Sequence, residues 1–271
     1  MTVKYHFRCK THDAYIIKNL IELLQNNIKV GCFDIRKEGV RLRMMDSNRR
    51  LLVDVDLDAK KFYHFHYDGP SNQQVIHLGI NLNHLYKLLK SIKKKDSIHL
   101  FIKENDPTNL GIQIVSKDKS PPITTASFIK IQNIQNLEIH LPGSYSESIL
   151  ISTAGFAKMC KDMVTISNTM IINIFNRYVK FFSNIGNIYS REVILGDTDD
   201  CSESEDPIYL EEFDTEVFSR IAKISGLGQN MHLLYQQDLP LFLKSSVGNL
   251  GMIQIFIKNR SQLSHASIPD P

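Results

Sequence analysis

The chain lacks tryptophan altogether, has only four cysteines in 271 residues, and contains no apolar run near the ~20 residues that span a bilayer. The missing run excludes a membrane-spanning helix. The opening MTVKYHFRCK has mixed polarity and not the apolar core of a signal sequence, so a reducing compartment such as the cytosol or nucleus is expected. Cys9, Cys32, Cys160 and Cys201 show no close-paired spacing, which argues against a disulfide framework or a zinc site. A phosphate-cradling glycine loop, a nucleophile elbow and a Cys-His pairing signal are also missing. No cofactor, no metal and no catalytic residue is therefore expected. Charge of one sign is scarce too: 32 Lys and Arg against 29 Asp and Glu leave a net +3. A polyanionic partner has to be argued from where the cations lie.

What the chain does contain is a repeated order of elements. The first half reads as a strand at 3–8, a helix at 13–24, and strands at 30–35, 39–45, 51–57 and 62–67. A helix at 81–92 and strands at 97–103, 110–115 and 124–131 follow. The second half has a strand at 148–151, a helix at 153–163, and strands at 170–175, 178–182 and 188–195. Then come a helix at 214–225 and strands at 231–235, 241–244 and 252–257. Strands spaced this closely pair antiparallel, so the fold class is α+β with two topologically similar domains. The expected division is residues 1–131, an extended connector at 132–145, residues 146–260, and a flexible tail at 261–271. Residues 196–206, GDTDDCSESED, read as a solvated acidic loop.

All four helices put cations opposite their apolar stripe. The first forms its stripe from Ile16, Ile17, Leu20, Ile21 and Leu24 and leaves Lys18, Asn19 and Glu22 off it. The second buries Leu82, Leu85, Leu89 and Ile92 and exposes Lys87 and Lys90, with Lys93, Lys94 and Lys95 after it. The third exposes Lys158 and Lys161, the fourth Arg220 and Lys223. Gathered on one surface, these side chains make a diffuse track for phosphates without any base-reading set.

Several segments, in this order and spacing, resemble the proliferating cell nuclear antigen type of DNA sliding clamp. They are GVRLRMMDSNRRLLVDVDL (39–57), LGINLNHLYKLLKSIKKKDSIHL (78–100), AGFAKMCKDM (154–163), RYVKFFSNIGN (177–187) and DLPLFL (238–243). The resemblance implies a homotrimeric ring around duplex DNA, with antiparallel sheets outside and four helices per subunit on the inner face. It implies a clamp loader, a DNA polymerase and other tethered replication and repair enzymes as partners, and no bond-making chemistry. The nucleus, or a viral replication site in a host cell, is the implied location. Lys18, Lys87, Lys90, Lys158, Lys161 and Lys223 fall on positions similar to the family's DNA-facing cations. The pocket for a partner peptide should involve Met45, Leu52, Ile139, Leu141, Pro142, Pro240 and Phe256. The chain departs from the family pattern at Lys258 and Asn259, on that pocket's far rim. It departs again at Asn176, where eukaryotic clamps carry a lysine that is modified.

Two other readings stand beside this one. A clamp-like chain can serve in a heterotrimeric checkpoint or viral transcription complex. His64 and His66, two apart on a strand, together with Asp54, Asp56 and Asp58, could instead form a metal-dependent nuclease site. Self-association is expected through the strands at 124–131 and 188–195, which have no evident partner within their own domains.

Overall fold

The structure, a computed structural model, describes residues 3–69, 74–117, 121–134, 138–145, 147–197 and 206–265. Cys201, most of the acidic loop, residues 135–137 of the connector and the last six tail positions lie outside these. The chain divides into two compact units. One comprises Met1–Met44, Asp54–Ile139 and Ser246–Ile253, the other Met45–Val53, His140–Ser245 and Gln254–Pro271.

The first unit takes in β1 (Tyr5–Thr11), α1 (Ala14–Gln25), β2 (Val30–Arg36), β3 (Gly39–Met45) as far as Met44, β4 (Leu51–Asp58) from Asp54 on, β5 (His64–Tyr67), β6 (Ile76–Asn81), α2 (Leu82–Leu89), β7 (Ser97–Lys103), β8 (Asp106–Ser116) and β9 (Ile123–Lys130). One sheet runs β5-β1-β7-β8-β9, and β6, β2, β3 and β4 follow one another in a second run. α1 forms because Ile17, Leu20, Ile21 and Leu24 recur along one side, and all four are buried. α2 starts where the Asn81 side chain accepts a bond from the His84 N–H at 3.0 Å, satisfying one of the first free donors of the helix. It ends at Leu89, earlier than the periodicity predicts, and Ile92 N closes the final turn on the Leu89 carbonyl at 3.0 Å. The expected strand at 62–67 shortens because Asp58 caps a 3-10 turn at Ala59–Lys61, leaving only His64–Tyr67 extended.

The second unit takes in β10 (Glu147–Ser152), α3 (Thr153–Val164), β11 (Thr169–Ile174), β12 (Tyr178–Ile185), β13 (Tyr189–Gly196), β14 (Tyr209–Asp214), α4 (Thr215–Ile221), β15 (Asn230–Tyr235), β16 (Leu241–Val247) as far as Ser245, β17 (Gly251–Ile257) from Gln254 on, and α5 (Arg260–His265). One sheet runs β13-β12-β11-β14, while β10, β15, β16 and β17 follow one another in another run. Every described strand register in both units is antiparallel. Ser152 caps α3 by accepting from Gly155 N at 3.3 Å. The fourth expected helix breaks after Ile221 into a 3-10 turn, Ala222–Gly226. Three elements were not expected: β6 in the first unit, β14, and the helix α5 where the flexible tail was to begin. Phe156, Phe181, Phe213 and Phe218 are fully buried in this unit. Each contributes about 1.5–3 kcal/mol by leaving water.

The strands expected to lack a partner each have one. β9 pairs with β8 over eight positions and β13 with β12 over eight, because each hairpin brings the next stretch of chain back alongside. Both nevertheless end their sheets.

Candidate nucleic-acid and partner-binding surfaces

The cations singled out from sequence fall into one group per unit. In the first unit Lys18 is half-buried; its ammonium donates to the Ile92 carbonyl at 3.2 Å and lies 4.6 Å from the Tyr15 ring centre. That bond ties α1 to the end of α2. It sets Lys18 beside the exposed run Lys93, Lys94 and Lys95, where buried Asp96 accepts from Lys93 N at 2.8 Å and fixes the turn. Lys87 and Lys90 on α2 are exposed. In the second unit Lys158 and Lys161 are exposed on α3, which packs on α4 and on the 3-10 turn carrying exposed Lys223. Arg220 behaves differently. It pairs with Glu216 one turn earlier, and Glu216 also lies 3.8 Å from Arg50. The hydrogen bond from Arg220, then its charge, holds the Glu216 carboxyl below the usual carboxylate range. The Arg220 charge is thus already engaged within the protein.

Six of the seven pocket residues belong to the second unit. Met45 is exposed because the next residue, buried Asp46, turns the chain: its carboxylate accepts from Arg50 N at 2.8 Å and Leu51 N at 2.9 Å, with Arg49 in the left-handed region. Leu141, Pro142 and Pro240 are half-buried. Leu52 and Phe256, by contrast, are buried at 6% and 4% exposure, so they support the surface and are not open to a ligand. Phe256 stacks on Phe242 with centroids 4.4 Å apart. Tyr145 tilts against Phe242 at 5.1 Å, and its hydroxyl donates to the Pro240 carbonyl at 2.6 Å. Burial pushes the Tyr145 hydroxyl well above its ordinary pKa, so it stays a neutral donor. Tyr145 and Phe242 were missed in the sequence, where only the apolar type at each position gave a signal. Ile139 lies in the first unit, where its carbonyl accepts from Arg43 at 2.9 Å. Lys258 is tied by its backbone to the Arg50 carbonyl at 3.0 Å. Asn259 is buried; its side chain accepts from Gln262 N and Ser261 Oγ, each at 2.8 Å, and so starts α5.

The nuclease constellation separates into unlike parts. Asp54 is buried and accepts from Arg43 Nε at 2.8 Å and Arg41 Nε at 3.3 Å. Asp56 is exposed, and Asp58 caps its turn by accepting from Lys60 N at 2.8 Å. His64 and His66 stand opposite Lys10 and Arg8 on β1, in a different sheet from those aspartates. Adjacent cations repel a metal ion, so this pair is a poor ligand set. Another trio, Cys32, Asp34 and His77, holds its ligand atoms within 4.8 Å of one another. Asp34 there is already shared by His77 at 2.7 Å and Arg36 at 3.4 Å. Arg41 lines the same cleft as Asp34 and His77, which belong to a surface charge network, whereas Cys32 is buried.

Residues 6–137 match the family model described as "Proliferating cell nuclear antigen, N-terminal domain", and residues 142–260 match its C-terminal counterpart. The chain is 25% identical over 259 residues to "Probable DNA polymerase sliding clamp 1" of Paramecium bursaria Chlorella virus 1, covering 93% of this chain and 95% of that one. Its fold is similar to the crystal structure of Proliferating Cellular Nuclear Antigen from Entamoeba histolytica. The TM-score is 0.79 at 22% identity, over 94% of this chain and 99% of that one. With both domain models matched in order across nearly the whole length, the chain belongs to the proliferating cell nuclear antigen family of DNA sliding clamps.

Proposed function

We propose that three copies of this chain close into a ring around duplex DNA and tether a DNA polymerase and other replication and repair enzymes to it. The observation that carries this reading is the pair of terminal strands. β9 and β13 are each eight residues long and share the same alternation of exposure. Each has a neighbour on one side only, among the described residues. Large apolar side chains stand exposed along or beside them: Ile123 on β9, Ile188, Tyr189 and Ile194 at β13. Soluble proteins protect open edges with charge, proline or cover, and β9 has no charged residue before Lys130. A second copy supplies that cover when β9 of one chain meets β13 of the next, a pairing of unlike edges that closes if the rotation permits.

In this ring Lys18, Lys87, Lys90, Lys93, Lys94, Lys95, Lys158, Lys161 and Lys223 hold phosphates by weak, screened attraction, so the duplex slides; Arg220 adds less. The surface of Met45, Leu141, Pro142 and Pro240 over Leu52, Phe242 and Phe256 takes an apolar partner peptide. Tethering raises the local concentration of an enzyme on its template and not its chemical rate. The place of action is the nucleus or a viral replication site.

Light scattering tests the assembly. The expected mass is about 93 kDa, three times the 31.1 kDa chain, falling to that of one chain in Ile194→Lys. A wild-type monomer that trimerises only with other chains overturns the homotrimer in favour of a mixed ring. Rings equilibrated onto a nicked circular DNA should leave it when the circle is cut; retention on the linear form rejects encirclement.

A further inference from the structure

The sheet β5-β1-β7-β8-β9 has an unusual charge content. Its strands carry Arg8, Lys10, Lys103 and Lys130, four histidines, and one carboxylate, Asp106. The register sorts most of these cations onto one face. Arg8 stands between His66 and Phe101, and Lys10 between His64 and His99. Gly111 separates Phe101 from Phe128 along the same row. Phe7, Ile98, Ile102, Leu110 and Ile112 alternate onto the opposite, buried face. No Asp or Glu stands opposite Arg8 or Lys10; Asp106, opposite Lys103, already accepts from Asn109 Nδ2 at 2.8 Å.

Aromatic rings interleave with these cations. The Lys103 ammonium lies 5.6 Å from the Phe101 ring centre and 5.8 Å from that of Phe128. Arg8 is 5.5 Å from the Tyr5 ring and the Lys10 ammonium 5.9 Å from that of Tyr63. Phe128 is 55% exposed and Tyr63 72% exposed, a large apolar area to leave in water. Gly111 keeps the row open, since a Cβ there comes within 2.3 Å of the Phe101 ring. Arg8 Nε is enclosed without an acceptor. Burial first, and then the charges of Arg8, His66 and Lys10, lowers the pKa of His64. Burial chiefly lowers the pKa of His99 as well, opposed by its bond to Gln113 and aided by the charges of Lys10 and Arg8. The face therefore carries a positive potential that its own residues leave unneutralised.

We propose that this sheet face binds single-stranded nucleic acid, with phosphates on Arg8, Lys10 and Lys103 and bases stacked on Phe128 and Tyr63. Exposed rings beside cations are the two components such surfaces use, and stacking tolerates any base. A duplex keeps its base faces hidden and has no use for the rings, and an acidic peptide needs only the charges. Five strands span roughly 19 Å at ~4.8 Å each, room for a site at the small end of those known, about four nucleotides. The helix lysines assigned to duplex passage take no part.

Fluorescence anisotropy with labelled oligo(dT) of twenty nucleotides tests the site on the whole chain, with the mass of every variant measured alongside. Tyr63→Ala and Phe128→Ala are each expected to weaken binding about tenfold, while Phe128→Trp keeps it. With three cations engaged, raising salt from 50 to 200 mM should weaken binding about twenty-fold. Lys29→Ala with Lys37→Ala, two exposed cations outside both surfaces, should leave it unchanged. Three results overturn the proposal: affinity indifferent to Tyr63→Ala and Phe128→Ala, affinity lost equally in the Lys29 and Lys37 variant, or equal competition by a polyglutamate of matched charge. The last identifies an acidic protein segment as the occupant. Loss of the ring mass with oligo(dT) binding intact contradicts the ring and leaves this site standing.

Discussion

The sheets β5-β1-β7-β8-β9 and β13-β12-β11-β14 are built alike and charged oppositely. The first has a single carboxylate among its strands; the second has Glu192, Glu211, Glu212 and Asp214 against Lys180 and Arg191. The second also settles much of its charge internally. Lys180 pairs with Glu192 at 3.3 Å, and Arg260 reaches Glu212 at 3.3 Å and Asp214 at 3.7 Å. Among the described residues no salt bridge engages Arg8, Lys10, Lys103 or Lys130 of the first. The alternation of apolar residues determines which face of a strand is buried. It leaves the other face free, and one architecture can turn opposite potentials to its surroundings.

The contrast can be broken or sharpened by experiment. The largest effect is expected where charge is buried. Asp54→Ala leaves Arg41 and Arg43 without their shared acceptor and should destabilise the protein by about 2–3 kcal/mol in denaturant unfolding. Glu192→Ala removes only the surface pair with Lys180 and should cost less than about 1 kcal/mol. Charge exchange comes next. Glu192→Lys with Glu212→Lys should delay elution from heparin, and Lys10→Glu with Lys103→Glu should advance it; shifts of equal size in opposite directions would show that net charge alone decides. On the helices, Lys158→Ala with Lys161→Ala should reduce the salt slope of duplex binding by about 1.8. Arg220→Ala should change it by less than half the effect of one lysine, since Glu216 already engages it.

The smallest effect concerns pH. His64 and His99 titrate below their ordinary value in the folded chain, so the unfolded chain binds more protons between the two values. Their contribution to stability is complete above about pH 6.5. It is lost as pH falls from there toward the lowered folded values. The melting temperature should drop between pH 7.5 and 5.5, and His64→Gln with His99→Gln should flatten that drop.

The fold class and the four main helices were legible because they rest on periodicity. Leu82, Leu85 and Leu89, or Phe156, Met159 and Met163, announce a buried stripe without knowledge of the partner. β14 was not, because Glu211 and Glu212 interrupt its alternation and its pairing with β11 is a long-range event. α5 escaped notice because hydrogen bonds start it and not an apolar stripe: Asn259 bonds Gln262 N, and Gln262 reaches the Asp238 carbonyl at 3.0 Å. In the candidate sites sequence gave residue types and not exposure. Lys87 and Lys158 emerge at the surface as expected, whereas Leu52 and Phe256 sink beneath it. The basic sheet face was hidden for a different reason. Arg8, His66, Phe101 and Phe128 come from four distant segments, and only strand register lines them up.

β9 and β13 have different sequences, and that difference has a consequence for any assembly built from them. Two identical edges meeting each other make a twofold pair, in which one copy is turned over relative to its neighbour and growth stops. A junction of unlike edges repeats one rotation at every step, so no copy is ever inverted. Whatever one subunit displays toward an approaching enzyme, every other subunit displays toward the same side, and the assembly acquires a front and a back.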